Sequence, residues 1–197
     1  MTDHIITVTD PCKPLDINLD RPLEIEVGCG KGQFLAKRAK ENPDCDFLGI
    51  ERMLERVRLF AGKCKRGGLT NARVLRLEAL YTFHYLLPDH HARTVYVFFP
   101  DPWPKKKHHS HRLFGPLFLN ALWKRLEVGG KLEFATDHKE YFETVCECFS
   151  LDKRFERVEV VGRSVHEIAR KREEVVVEHV LPCCGEGSDG SAVEAVL

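Results

Sequence analysis

Apolar runs of strand length alternate with helical patterns through most of this 197-residue chain. That alternation is the signature of parallel βαβ units rather than of a β-sandwich or an all-helical bundle. Strands are expected over 23–27, 46–51, 73–77, 95–99 and 131–135. Helices are expected over 33–40, 53–65, 113–126 and 138–149, the second placing Met53, Val57, Phe60 and Ala61 on one face. Gly67-Gly68 should stop that helix, and Gly129-Gly130 should turn the chain into the fifth strand. Two further apolar stretches, 156–161 and 174–180, would complete a mostly parallel sheet of about seven strands with helices on both faces, an α/β fold.

Hydrophobic residues make up 43% of the chain, enough for one core, so residues 1–182 are read as a single domain. The tail 183–197 is small and polar and is expected to be disordered. The N-terminus has no basic start followed by an apolar run, and no window reaches membrane-span length, which predicts a cytoplasmic protein with no membrane association. The eight cysteines are then read as reduced thiols; Cys183 and Cys184, with His179, lack the paired CxxC spacing of a zinc site, and no metal is expected.

Lys+Arg and Asp+Glu both total 30, so any electrostatic argument must rest on local clustering. One cluster is plain. No acidic residue occurs from Pro102 to Leu126, whereas Lys105, Lys106, Lys107, Arg112, Lys124 and Arg125 all fall there.

Three acidic residues stand at predicted strand ends. Glu26 opens EVGCGKG, where Gly28 and Gly30 would let a ligand approach the backbone. A dinucleotide fingerprint would want glycine at position 33, which is Gln33, and Glu26 would oppose a pyrophosphate. A cationic ligand without phosphate, such as S-adenosylmethionine, suits that carboxylate better; a solvated strand-end glutamate is the bland alternative. Glu51 is placed to accept hydrogen bonds from ribose hydroxyls. Glu78 could face an adenine or equally cap the next helix.

The fourth strand, fully apolar, runs into FFPDPWPKKKHHSHR. Asp101 therefore emerges at the carboxyl edge of the sheet, with Pro100 and Pro102 restricting its backbone. Trp103 could stack on a base or cover the sheet edge. The lysines and histidines that follow look like a clamp for a phosphate backbone, against the alternative of a solvated charge run. Three histidines without a nearby carboxylate or cysteine make a poor metal site.

Together LEIEVGCGKG, GIE, FFPDPWPKKKHH and ATDHKEYF, in that order, resemble the tRNA (guanine-N7)-methyltransferases over about residues 23–142. The resemblance implies a Rossmann-like class I fold and methyl transfer from S-adenosylmethionine to N7 of a variable-loop guanosine in tRNA. It implies a donor site of Glu26, Gly28, Gly30, Glu51, Glu78 and Asp101, with Asp101 also catalytic. Lys105 and Asp137 match substrate-contacting positions, and Lys107, His108, His109, Ser110, His111 and Arg112 match the RNA-contacting loop. Glu78 stands where the family has Asp, and Ser164 and Glu167 of SVHE are the counterparts of a late TxxE element. No protein partner is required by the sequence. A methyltransferase with another substrate, or a catalytically idle RNA-binding module of the same fold, are the competing expectations.

Overall fold

The protein, as a computed structural model, is described over residues 4–158 and 173–179. Its strands are β1 (Ile5–Ile6), β2 (Leu23–Val27), β3 (Asp46–Ile50), β4 (Ala72–Leu75), β5 (Ala92–Phe98), β6 (Leu126–Thr136), β7 (Phe155–Val158) and β8 (Glu173–His179). They form one sheet in the order β1-β4-β3-β2-β5-β6-β8-β7. Strands β1 to β6 run parallel to one another, while β8 runs antiparallel to both β6 and β7. The mostly parallel α/β sheet read from the alternation, and the Rossmann-like fold that the resemblance implies, are therefore present, with the two-residue β1 added at one edge.

Strand β2 pairs with β3 on one side and β5 on the other, Val27 standing opposite both Ile50 and Val97. The strand order reverses there, and the chain leaves β2, β3 and β5 at the same edge of the sheet. Such a switch point opens a crevice between adjacent strand ends.

The helices bury the stripes that their spacing requires. In α1 (Gln33–Glu41) the buried residues are Leu35, Ala36 and Ala39, and in α2 (Leu54–Gly67) they are Val57, Phe60 and Cys64. Gly68 ends α2 in the left-handed conformation at φ 63°, with its N–H bonded to helix carbonyls. Pro116 starts α4 (Pro116–Arg125), which buries Phe118, Leu119, Ala121 and Leu122. In α5 (Lys139–Ser150) Tyr141, Val145 and Phe149 face the core.

Two local features differ from the sequence reading. Gly129-Gly130 does not separate two elements but kinks β6, whose register skips from Ala92 opposite Leu126 to Thr94 opposite Lys131. A Cβ on Gly130 would lie 2.8 Å from the Glu127 carbonyl and 2.9 Å from that of Ala92, so only glycine fits the kink. Between β4 and β5 the chain forms a short helix, α3 (Ala79–Tyr81), continued by a π-helical turn over Thr82–Leu86 that buries Phe83 and Leu86. No strong period marks it.

Among the described residues no helix is long and apolar enough to cross a membrane, and no group of three His, Cys, Asp or Glu side chains is placed to hold a metal ion. Ser164, Glu167, Cys183, Cys184 and the tail 183–197 lie outside the described residues.

Candidate active site

A cleft of about 500 Å³ opens at the switch point, and its walls include Gly28, Glu51, Glu78, Asp101, Trp103 and His111. The ends of four strands and the loop after β5 thus contribute to one space.

The glycine loop is stitched to β3. Gly28 and Cys29 donate their N–H groups to the Ile50 carbonyl, Gly32 donates to Cys29, and Gly30 donates to Glu51 Oε2 at 3.0 Å. These amides are spent within the protein, so the loop has few left for a pyrophosphate. Gly28, Gly30 and Gly32 all have positive φ, and a Cβ on Gly32 would fall 2.1 Å from Phe60 Cδ2. Cys29 is buried, and burial pushes its thiol far above the ordinary range, which leaves it an inert packing group.

Glu51 is held by three backbone amides. Besides Gly30, Arg52 and Met53 donate to its Oε1 at 2.8 and 2.9 Å, and Arg56 lies 3.6 Å from Oε2. A carboxylate has about four lone-pair sites, so little more than one acceptor direction is left for a ligand hydroxyl, in a fixed pose.

Glu26 is 6% exposed, does not line the cleft, and packs against the first turn of α1, where the Leu35 amide donates to it. Gly32, the N-cap of α1, has no side chain to cap the helix, and Glu26 does so from the preceding strand. Its Oε2 has no hydrogen-bond partner among the described residues. Burial, reinforced by the neighbouring Glu51 charge, raises its carboxyl to about 8 despite the Leu35 bond. An under-satisfied buried acid one residue from the cleft wall suits a cationic ligand.

Glu78 settles into the capping role left open by the sequence. Its two oxygens accept from Leu80 N at 2.9 Å and Tyr81 N at 2.7 Å. It is exposed and still lines the cleft, so a ligand would meet a carboxylate already fixed by α3.

Asp101 is exposed, lines the cleft, and has no hydrogen-bond partner or ion pair among the described residues. The stretch presenting it is strained: Phe99 has φ 51° and Trp103 has φ 43°, left-handed values that cost of order 1–3 kcal/mol each for bulky side chains. Phe99 N donates to Ala135 O at 2.8 Å, which fastens the start of the stretch to β6. Its other end is fastened by Arg112.

Arg112, expected in the RNA-contacting loop, is already engaged within the protein. Its side chain is 4% exposed, and its Nε donates to Pro102 O at 2.8 Å. Both terminal nitrogens donate to Glu140 at 3.0 and 2.6 Å, and the guanidinium lies 4.8 Å from the centre of the Tyr141 ring. The Arg112 bonds hold the Glu140 carboxyl down at about 2. This link runs from α5 through Arg112 to the carbonyl of Pro102, the residue after Asp101, and nothing in the spacing of 101, 112 and 140 predicted it.

The rest of the loop fits its expected exposure. A 3₁₀ turn spans Lys106–His111, and Lys105, Lys106, Lys107, Ser110 and His111 are exposed, with His108 and His109 half-buried. His111 and His108 pack against Trp103 at ring distances of 5.0 and 5.7 Å. Asp137 is exposed between β6 and α5 and is not a cleft-lining residue.

One buried cluster was missed. Glu24, two residues before Glu26 on the same face of β2, accepts from Arg38 Nη2 at 2.8 Å, Arg93 Nη2 at 2.6 Å and Tyr96 Oη at 2.9 Å. Burial would raise its carboxyl, but the Arg38 and Arg93 bonds outweigh that and hold it below the usual range. The alternation Leu-Glu-Ile-Glu-Val was the available signal, since a strand face carrying two buried acids needs two separate solutions.

A family model described as "Putative methyltransferase" matches residues 20–179. A tRNA (guanine-N(7)-)-methyltransferase of Photobacterium profundum is 41% identical over 134 residues, covering 66% of this chain and 53% of that protein. One of the same name from Aquifex aeolicus is 36% identical over 137 residues, covering 66% and 46%. The chain spans about half the length of these curated relatives. Among solved structures, a SAM-dependent methyltransferase from Aquifex aeolicus superimposes with a TM-score of 0.59 at 20% identity, covering 83% of this chain and 85% of that one, a likeness of fold.

Proposed function

The chain belongs to the methyltransferase family whose model spans residues 20–179, and with its likeness to tRNA (guanine-N(7)-)-methyltransferases we propose that it methylates N7 of a tRNA guanosine, in the variable loop, with S-adenosylmethionine as donor. The observation that carries this reading is the placement of an unpaired, exposed Asp101 carboxylate in the cleft where Glu51, Glu78 and the glycine loop converge.

The donor side fits the residues present. The donor's cationic centres suit the under-satisfied Glu26 better than a phosphate ligand would, because the loop amides are already used. Glu51 would take a ribose hydroxyl on its remaining acceptor direction, and Glu78 would stand near the adenine.

The chemistry needs no base. Guanine N7 has a free lone pair, so one C–N bond forms, the C–S bond breaks with its electrons on sulfur, and positive charge moves onto the purine. Asp101 would accompany that charge with its anion and can accept from the guanine's Watson–Crick edge. Pro100, Pro102 and the Arg112 link restrain the backbone that presents the carboxylate, which lowers the reorganisation left for the transition state. Lys105 would contact the substrate directly, with Asp137 at the neighbouring rim. Lys107, His108, His109, Ser110 and His111 would track the RNA, and Arg112 would shape their loop. A tRNA substrate would place the protein in the cytoplasm.

The test is incubation of unmodified tRNA with donor and protein, followed by mass spectrometry of the nucleosides. A new 7-methylguanosine peak dependent on the protein is expected. Methylation of another nucleoside, or turnover without RNA, would overturn the reading.

A further inference from the structure

Trp103 is an anomaly for its residue type. It is 36% exposed, sits in a left-handed backbone conformation, and lines the cleft beside Asp101. A tryptophan serving only to cover a sheet edge would be expected to hide its ring in a relaxed backbone. Here the strain displays the ring.

The ring is also braced. His111 lies 5.0 Å from it at a tilt of 47°, His108 meets it edge-on at 5.7 Å, and the two histidine rings are 6.0 Å apart. The Arg112 bond to Pro102 O fixes the peptide immediately before Trp103. Ser110 and His111 continue the cleft wall beyond it, towards the exposed Lys105, Lys106 and Lys107.

We propose that Trp103, backed by His111 and His108, is the stacking platform for the acceptor base, and that it selects a purine held out of its helical stack. The inference rests on the function proposed above and names the acceptor contact within that site. Stacking on an exposed aromatic ring tolerates any base, but a purine covers more of an indole than a pyrimidine does. Asp101, two residues away, then reads the polar edge of the stacked base. The neighbouring lysines grip the backbone and carry no base information.

The experiment uses the full chain with Trp123→Phe, which leaves Trp103 as the only tryptophan. Titration with unmodified tRNA should quench its emission. Trp103→Ala should lower the single-turnover rate by about 10- to 100-fold, the range that loss of one stacked base implies, and Trp103→Phe should recover part of it. The salt dependence of tRNA binding should be unchanged in Trp103→Ala, because the phosphate contacts remain. A flattened salt slope would mean that Trp103 only shapes the basic loop, and would overturn the proposal. Absence of quenching while the tRNA is methylated at the normal rate would overturn it too. Failure of the unsubstituted protein to methylate any tRNA would instead remove the function on which it rests.

Discussion

Replacing Arg112 by alanine removes three contacts at once: the bond to Pro102 O at 2.8 Å, the paired bonds to Glu140 at 3.0 and 2.6 Å, and the face of Tyr141 at 4.8 Å. The charged-donor bond to Pro102 O contributes about 1.5–3 kcal/mol and the contact with Tyr141 adds about 0.5–2 kcal/mol, while solvent screens the pair with exposed Glu140. Water will replace part of the bond to the carbonyl, because the loop around it is exposed. A net loss of about 2 kcal/mol in the positioning of residues 101–103 is therefore expected, equivalent to about 30-fold in rate. The assay is single-turnover methylation at saturating tRNA, with donor affinity measured separately by calorimetry. Arg112→Ala should slow methyl transfer while donor binding stays within about threefold, and Arg112→Lys should rescue little, because one ammonium cannot serve the carbonyl, the carboxylate and the ring together. Were Arg112 a phosphate contact, the variant would weaken tRNA binding and flatten its salt dependence with the saturated rate intact. That result would refute the positioning role.

Glu26 makes stability depend on pH. Its folded carboxyl titrates near 8, above the ordinary value of 4.5, so its stabilising contribution is complete below about pH 4.5 and is lost as pH rises towards 8. Denaturant melts of the ligand-free protein across that window should show stability falling by up to about 1.4 kcal/mol per pH unit, a slope that Glu26→Gln abolishes. Donor affinity should move the opposite way, rising over the same window as the carboxylate ionises, and an unchanged affinity would contradict a Glu26 contribution to holding the cation. Removing the charges of Lys105, Lys106 and Lys107 together should reduce the slope of log K against log salt for tRNA binding by about 2, read by filter binding at several salt concentrations. Gly32→Ala should destabilise the fold by several kcal/mol on chemical denaturation, because its Cβ would meet the Phe60 ring at 2.1 Å.

The layers of the fold were readable because buried parallel strands are nearly uniform in character. Val95 to Val97, each at most 3% exposed, could belong to nothing but a central strand. From that strand the position of Asp101 followed, since a residue just past its carboxyl end must stand at the sheet's mouth. The α3 turn was not readable, because Phe83 and Leu86 reach the core through a π-helical geometry with no periodic signature in so short a span. The functions of charged residues were legible only where local spacing decides them. Glu78 caps the helix that begins next to it, whereas Arg112 finds Glu140 28 residues away and Glu24 finds Arg93 69 residues away. A basic residue in a basic loop reads as a surface cation until the fold brings a carboxylate to it.

The catalytic assignment stands on Asp101, and its most direct measurement is the single-turnover rate of Asp101→Ala on unmodified tRNA, with donor affinity determined on the same preparation. Loss of a charge that stabilises the transition state should slow transfer by at least about 100-fold while donor binding is largely retained. Transfer at a near-normal rate would contradict it.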